Sequence, residues 1–316
     1  MALRIPELPY FVPEEERPLP LPHPAVLAQR PEFQNPLQAH RGIRINDHYV
    51  VKFGLDEASG ASEAVNMLLV ERYTNVPIPK LYAASPYEHE GDKIWVLVME
   101  PVDDLAVDED WFRNSENRDS MLMRSIRRQL QEVRLQLGAV PHPGTRFNLY
   151  GHMYAFRNPR LDLKLFSTAE QVRDWLFRTM APRYHHVEGG GDDSAVEEHY
   201  ARKWEAAHEQ FCRGLGSGDE AVFTHFNLGP STVKVLRADG RIVVTGWEHA
   251  GFFPPEFEYV AAHRAGEPGS GWSDDVALGL SGQGAYREAL ELVERTAQDY
   301  EEAMRLPRTS SGCLGR

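Results

Sequence analysis

A chain of 316 residues, 42% hydrophobic and 26% charged, has the composition of a soluble globular protein and can bury one large core or two small ones. Its net charge of −13 argues against a nucleic-acid backbone or an anionic membrane as the main partner. No apolar run approaches the roughly 20 residues of a membrane span, and the best, Ile94–Met99, is strand-length.

Arg4, Pro6 and early acidic residues predict no signal peptide. Two cysteines, Cys212 and Cys313, supply neither a disulfide framework nor a metal cluster, and the expected compartment is reducing and cytoplasmic. The proline-rich run 17–24 predicts an extended N-terminal segment over 1–24, with the fold beginning after it. Residues 43–53 read as two strands meeting at an Asn46-Asp47 turn. A helix is expected from near Ser62, carrying Met67, Leu68 and Val70 into a core and ending at Pro77-Ile78-Pro79. Residues 94–99 form a buried strand, broken at Glu100-Pro101.

Beyond this point helix is expected to dominate. Leu122, Ile126, Leu130, Val133 and Leu137 recur at spacings of three and four, the stripe of a one-faced helix. Ser167 and Glu170 form a capping box for a helix through Trp175 and Leu176. Residues 188–193 are a glycine-rich loop. Leu290, Val293, Ala297, Tyr300 and Met304 mark a last amphipathic helix before a disordered tail at 307–316. Strands with one early helix, then mostly helix, give an α+β chain: an N-lobe at 25–100 and a helical C-lobe at 101–306.

Two segments carry the chemistry. The first is Val222-Phe-Thr-His-Phe-Asn-Leu-Gly-Pro-Ser-Thr-Val-Lys-Val235, and the second is Arg241-Ile-Val-Val-Thr-Gly-Trp-Glu-His-Ala-Gly-Phe-Phe-Pro254. They resemble the fungal branch of the aminoglycoside-phosphotransferase-like family, whose corresponding patterns are Thr-His-Gly-Asp-Leu-x-Pro-x-Asn-Ile and Ile-Ile-Asp-Trp-Glu-x-Ala-Gly. The resemblance covers roughly residues 45–263 and includes Lys52, Glu63, the Met99-Glu100 linker and Phe166–Trp175. It implies a two-lobed kinase-like fold. In such folds the first Asp deprotonates the acceptor, while the Asn and the second Asp hold Mg²⁺. The matching residues here are Asn227, Thr232 and Gly246. An amide accepts no proton at neutral pH, a threonine hydroxyl is a weak ligand, and glycine is none. A positioned general base contributes roughly 10²–10⁴-fold, so ordinary kinase activity is not expected. No glycine-rich phosphate loop precedes Lys52, since residues 41–48 contain only Gly42.

Each candidate has a functional and a structural reading. Lys52 and Glu63 bind a ligand or form a strand-to-helix ion pair. His225 does acid–base work or braces the catalytic loop, and Asn227 points into the old active site. Trp247 and Glu248 bind or pack, and His249 beside Glu248 is a further acid–base candidate. Phe226, where the family has Gly, adds aromatic surface, and Gly246 opens space. Glu256, Glu258 and Tyr259 are expected to stabilise the fold. His185-His186 lacks a metal-binding spacing, and no Gly-x-Ser-x-Gly elbow occurs.

Neither a cofactor nor a metal is expected, and the expected partner is a small organic metabolite. Three functions stay open. One is a repurposed, metal-independent enzyme catalysing cyclisation, dehydration, isomerisation or a pericyclic step; the resemblance connects it with fungal secondary metabolism. The second is a non-catalytic pseudokinase that acts as a binding or regulatory module. The third is a residual small-molecule kinase.

Overall fold

A five-stranded antiparallel sheet in the order β1-β4-β5-β3-β2 anchors the first part of the chain in the computed structural model. The structure describes residues 3–34, 42–142 except 106 and 118, 169–180, 194–214, 221–265, 271–272 and parts of 288–299. The strands are β1 (Tyr10–Phe11), β2 (Ile43–Arg44), β3 (Val50–Leu55), β4 (Leu81–His89) and β5 (Asp92–Met99).

The fold begins earlier than the proline run suggests. Tyr10 and Phe11 pair with Ala84 and Ala83, and the Val12 amide donates to the Tyr82 carbonyl at 2.9 Å. Val12 is buried in one cluster with Tyr49, Val51 and Phe53. This cluster also takes Leu27 from α1 (Pro24–Leu27), so the segment 1–24 is partly strand rather than wholly a preceding extension. The Asn46 turn forms as expected, its side-chain oxygen accepting from the His48 and Tyr49 amides, both at 2.8 Å. Side chains alternate across β3. Val51 and Phe53 enter the cluster, whereas Val50 and Lys52 project to the other side, onto a cleft.

Helix α2 (Glu57–Tyr73) starts five residues before Ser62, because Asp56 caps it by accepting from the Ser59 amide at 2.8 Å. Gly60 lies on the helix face that meets β5. A Cβ there would stand 2.3 Å from the Trp95 Cβ, so this close helix–strand approach admits only glycine. Glu63 and Met67, one turn apart, share the face that lines the cleft.

A short helix, α3 (Glu109–Arg113), precedes α4 (Met121–Gly138), which buries Ile126, Leu130, Val133 and Leu137 as expected. Its stripe begins at Met123; Leu122 is half-buried. Two further helices are α5 (Ala169–Met180) and α6 (Ser194–Gly214). Ser167, His185, His186, the glycine-rich loop and the tail lie outside the described residues.

The second half is not wholly helical. Strands β6 (Val222–Thr224) and β9 (Gly251–Phe253) pair with each other, as do β7 (Val233–Val235) and β8 (Ile242–Val244). These two small sheets fix the ends of the loops at 225–232 and 245–250. Helix α7 (Phe257–Ala265) follows.

The chain forms two units whose limits differ from the expected lobes. One comprises residues 1–169 with 218–282, and the other 170–217 with 283–316. The described residues of the second unit are helical. In it Phe177 packs edge-on against Trp204, and the Tyr200 hydroxyl donates to the Asp299 carbonyl at 3.0 Å. Among the described residues no helix is long and apolar enough to cross a membrane.

Candidate active site

The first unit contains a cleft of about 800 Å³. Its walls carry Lys52, Glu63, Asn227, Thr232, Trp247 and Glu248, together with Gly246. The structure therefore brings together seven of the positions singled out in the sequence. His225, Phe226 and His249 do not line it.

Lys52 is gripped by Glu63 at 2.7 and 2.8 Å, with Glu248 at 3.6 Å. Burial by itself pushes the Lys52 ammonium down, but the two carboxylates outweigh it and hold the lysine charged. Burial lifts Glu63, against the pull of Lys52. Burial would also raise Glu248, yet the Lys52 ammonium beside it draws the carboxyl down to about 2. One ammonium thus faces two carboxylates, and with both ionised the trio carries a surplus negative charge.

The catalytic-loop counterpart is braced from behind. Glu258, from α7, accepts from the His225 amide at 2.5 Å and the Phe226 amide at 3.1 Å. Burial moves its carboxyl up to about 7. His225 is fully buried, and burial brings its pKa down to about 4. Its Nε2 lies 3.0 Å from the Thr245 carbonyl, which only accepts, so Nε2 carries the proton. Nδ1 then accepts from the Asn227 amide at 3.2 Å. With both nitrogens occupied and no cleft surface, His225 is a neutral strut between two loops.

Phe226 differs from the expected substrate-facing aromatic. It is 4% exposed and stacks on Phe253 at a centroid distance of 4.8 Å and on Phe257 at 5.9 Å. Its φ of +60° is one that glycine adopts at little cost and a side chain does not. The aromatic ring serves the core behind the loop.

Thr232 is committed to its own loop. Its hydroxyl donates to the Asn227 carbonyl at 2.6 Å and accepts from the Gly229 amide at 3.0 Å, closing the loop. That commitment leaves it poorly placed as a metal ligand. Gly246 has φ +75°, and a Cβ would stand 3.0 Å from the Thr232 Cγ2. The Mg²⁺ of the resembled family needs carboxylate oxygens. Asn227, Thr232 and Gly246 offer none, so these positions do not fit the ion. Among the described residues no group of three acidic, histidine or cysteine side chains is arranged to hold a metal.

Three contributors are not evident in the sequence. Asn66 on α2 donates to the Trp247 and Ala250 carbonyls at 2.8 and 2.9 Å, tying the helix to the 247–250 turn. The Trp247 amide binds Glu63, and its indole N–H donates to the Val244 carbonyl at 3.0 Å. Asp104 and Lys234, 3.7 Å apart, complete the polar wall; no motif marks either. His249 lies 3.8 Å from Glu248, too far for a hydrogen bond, and burial lowers its pKa.

No protein-family model and no curated protein matches the chain. Solved structures do resemble it. A thermostable mutant of aminoglycoside phosphotransferase APH(4)-Ia in its apo form is 17% identical, with 83% of each chain covered and a TM-score of 0.47. The GDP complex of wild-type aminoglycoside 2'-phosphotransferase-IIIa is 14% identical, covering 82% of this chain and 89% of its own, with a TM-score of 0.49. Likeness at these identities concerns fold and leaves the chemistry to the residues present.

Proposed function

We propose that this chain is a small-molecule enzyme on a phosphotransferase-like scaffold that has given up Mg²⁺-dependent transfer from ATP. It acts on an organic metabolite held in the cleft, through cyclisation, dehydration, isomerisation or a pericyclic step. The observation that carries the reading is an open cleft of about 800 Å³ whose three chemical positions are Asn227, Thr232 and Gly246. A filled cleft would have favoured a non-catalytic module.

The residues divide the work as follows. Asn227 offers an amide that can donate to and accept from a substrate hydroxyl or carbonyl without taking its proton. Glu248, on the cleft wall and a quarter exposed, is the carboxylate a substrate can reach. Lys52, itself gripped by Glu63, holds that charge in place. Reactions of this class need shape, orientation and one acid–base group.

The test is to incubate the full chain with a metabolite library, with Mg²⁺-ATP or with chelator, and weigh the products. Products of unchanged mass, or lighter by water, formed equally in chelator support the reading. Phosphorylated products that need Mg²⁺-ATP would refute it.

A further inference from the structure

The charges of the cleft do not balance. Two ammonium groups, Lys52 and Lys234, face four carboxylates, Glu63, Glu100, Asp104 and Glu248. Glu63 grips Lys52, and Asp104 lies 3.7 Å from Lys234. Glu100 and Glu248 are left over. Glu100 is solvent-exposed and accepts from the Lys80 amide at 3.3 Å. Glu248 is the unbalanced charge of the interior.

Neither charged neighbour reaches hydrogen-bond distance of Glu248: Lys52 is 3.6 Å away and His249 is 3.8 Å away. The Oε2 atom is buried without a hydrogen-bond partner. Burial lowers the His249 pKa, which weakens the ring as a counter-charge. The carboxylate meets the cleft beside Gly246, where a Cβ would stand 3.6 and 3.8 Å from its two oxygens, and its side chain is a quarter exposed. The opposite requirement, an apolar one, comes from Val50, Met67, Pro79, Met99 and Val102 on the same walls. Methionine adapts readily to varied apolar shapes.

We infer that the cleft selects an organic monocation: an apolar body bearing one protonated amine, which sets its charge against Glu248. The inference rests on the reading of the cleft as a small-molecule site and adds the class of molecule. A nucleotide triphosphate, with several negative charges, meets the surplus carboxylates and a lysine already neutralised by Glu63. A protonated amine gains a charge-assisted contact and balances the trio.

The experiment compares three probes that share one body, phenylbutylamine, phenylbutanol and phenylbutyrate, by calorimetric titration of the full chain. The amine is expected to bind at least about tenfold tighter than the alcohol, the worth of one charge-assisted hydrogen bond, and the carboxylate weakest. In Glu248→Gln the preference for amine over alcohol collapses, while alcohol binding stays. In Glu100→Gln the preference remains. Equal binding of amine and alcohol overturns the charge inference and leaves the small-molecule reading standing. Preference for the carboxylate, or no amine binding at millimolar concentration, also overturns it. The series on the unmodified chain decides even if the Glu248 variant fails to fold. A fourth titration, with Mg²⁺-ATP, separates the two claims: tight Mg²⁺-dependent binding would sink the proposed function itself.

Discussion

Replacing Phe226 tests whether the loop at the site is held by its aromatic underside at the cost of backbone strain. The residue adopts φ +60°, a conformation that costs a side chain about 1–2 kcal/mol and glycine almost nothing. Against this stands a ring that is 4% exposed and stacked on Phe253 with an interplanar angle of 20°. Truncating a buried phenylalanine to alanine costs about 3–5 kcal/mol. Phe226→Ala keeps the strain and loses the ring, so it should carry the whole of that cost. Phe226→Gly loses the ring and sheds the strain, so it should be milder by about 1 kcal/mol, leaving about 2–4 kcal/mol. Urea denaturation of the full chain reads both as falls in midpoint at unchanged slope. If the glycine variant is as stable as the parent, strain outweighs packing and the account of the loop is wrong. An alanine variant no worse than the glycine variant would show that the backbone is not strained at all.

Other expectations follow from the same framework. Glu258, raised to about 7 from 4.5, binds protons in the folded state first, so its contribution is full below pH 4.5 and is lost as pH rises to about 7. His225, lowered to about 4 from 6.5, works the other way: its contribution is full above pH 6.5 and is lost as pH falls to about 4. The two slopes oppose each other, so Glu258→Gln should steepen acid destabilisation and His225→Gln should relieve it, as read from melting temperature against pH. Gly246→Ala places a Cβ at φ +75° and 3.0 Å from the Thr232 Cγ2, and should cost about 1–2 kcal/mol. A stability equal to the parent's would contradict the tight Gly246–Thr232 fit. Asn66→Ala takes the side-chain donor from two buried carbonyls, of which that of Trp247 keeps the Ala250 amide, and should cost about 1–3 kcal/mol in the same urea assay. A loss below about 0.5 kcal/mol would mean that the helix does not anchor the 247–250 turn.

Features set by local rules were legible in the sequence. The Asn46 turn depends on one side chain bonding its own neighbours, and the α4 stripe on a period of three to four. Lys52 and Glu63 could be named because the resembled family has a strand lysine and a helix glutamate at the matching positions. What the sequence hid depends on long-range approach. Gly60 reads as a helix breaker, yet it is a contact with Trp95, and that disguised the first turn of α2. Strand β4 carries Pro86, which weakens a strand pattern, although its partner β5 was plain. Asn66 looked like any helical polar residue, and its partners lie more than 180 positions away. Phe226 reads as added aromatic surface in the cleft because it stands where the resembled family has Gly. Only the stack with Phe253 and Phe257 shows that the ring turns the other way. The charge surplus at Glu248 required Asp104 and Lys234, which no motif marks.

The most direct measurement of the central claim is the melting temperature of the full chain with millimolar ATP, in Mg²⁺ and in chelator. A ligand that binds the native state at a hundredfold excess over its Kd adds about 2.7 kcal/mol of apparent stability. With Asn227, Thr232 and Gly246 at the chemical positions, the account predicts no shift that depends on Mg²⁺. A clear Mg²⁺-dependent rise would contradict it, and would mean that this cleft still assembles a metal–nucleotide site.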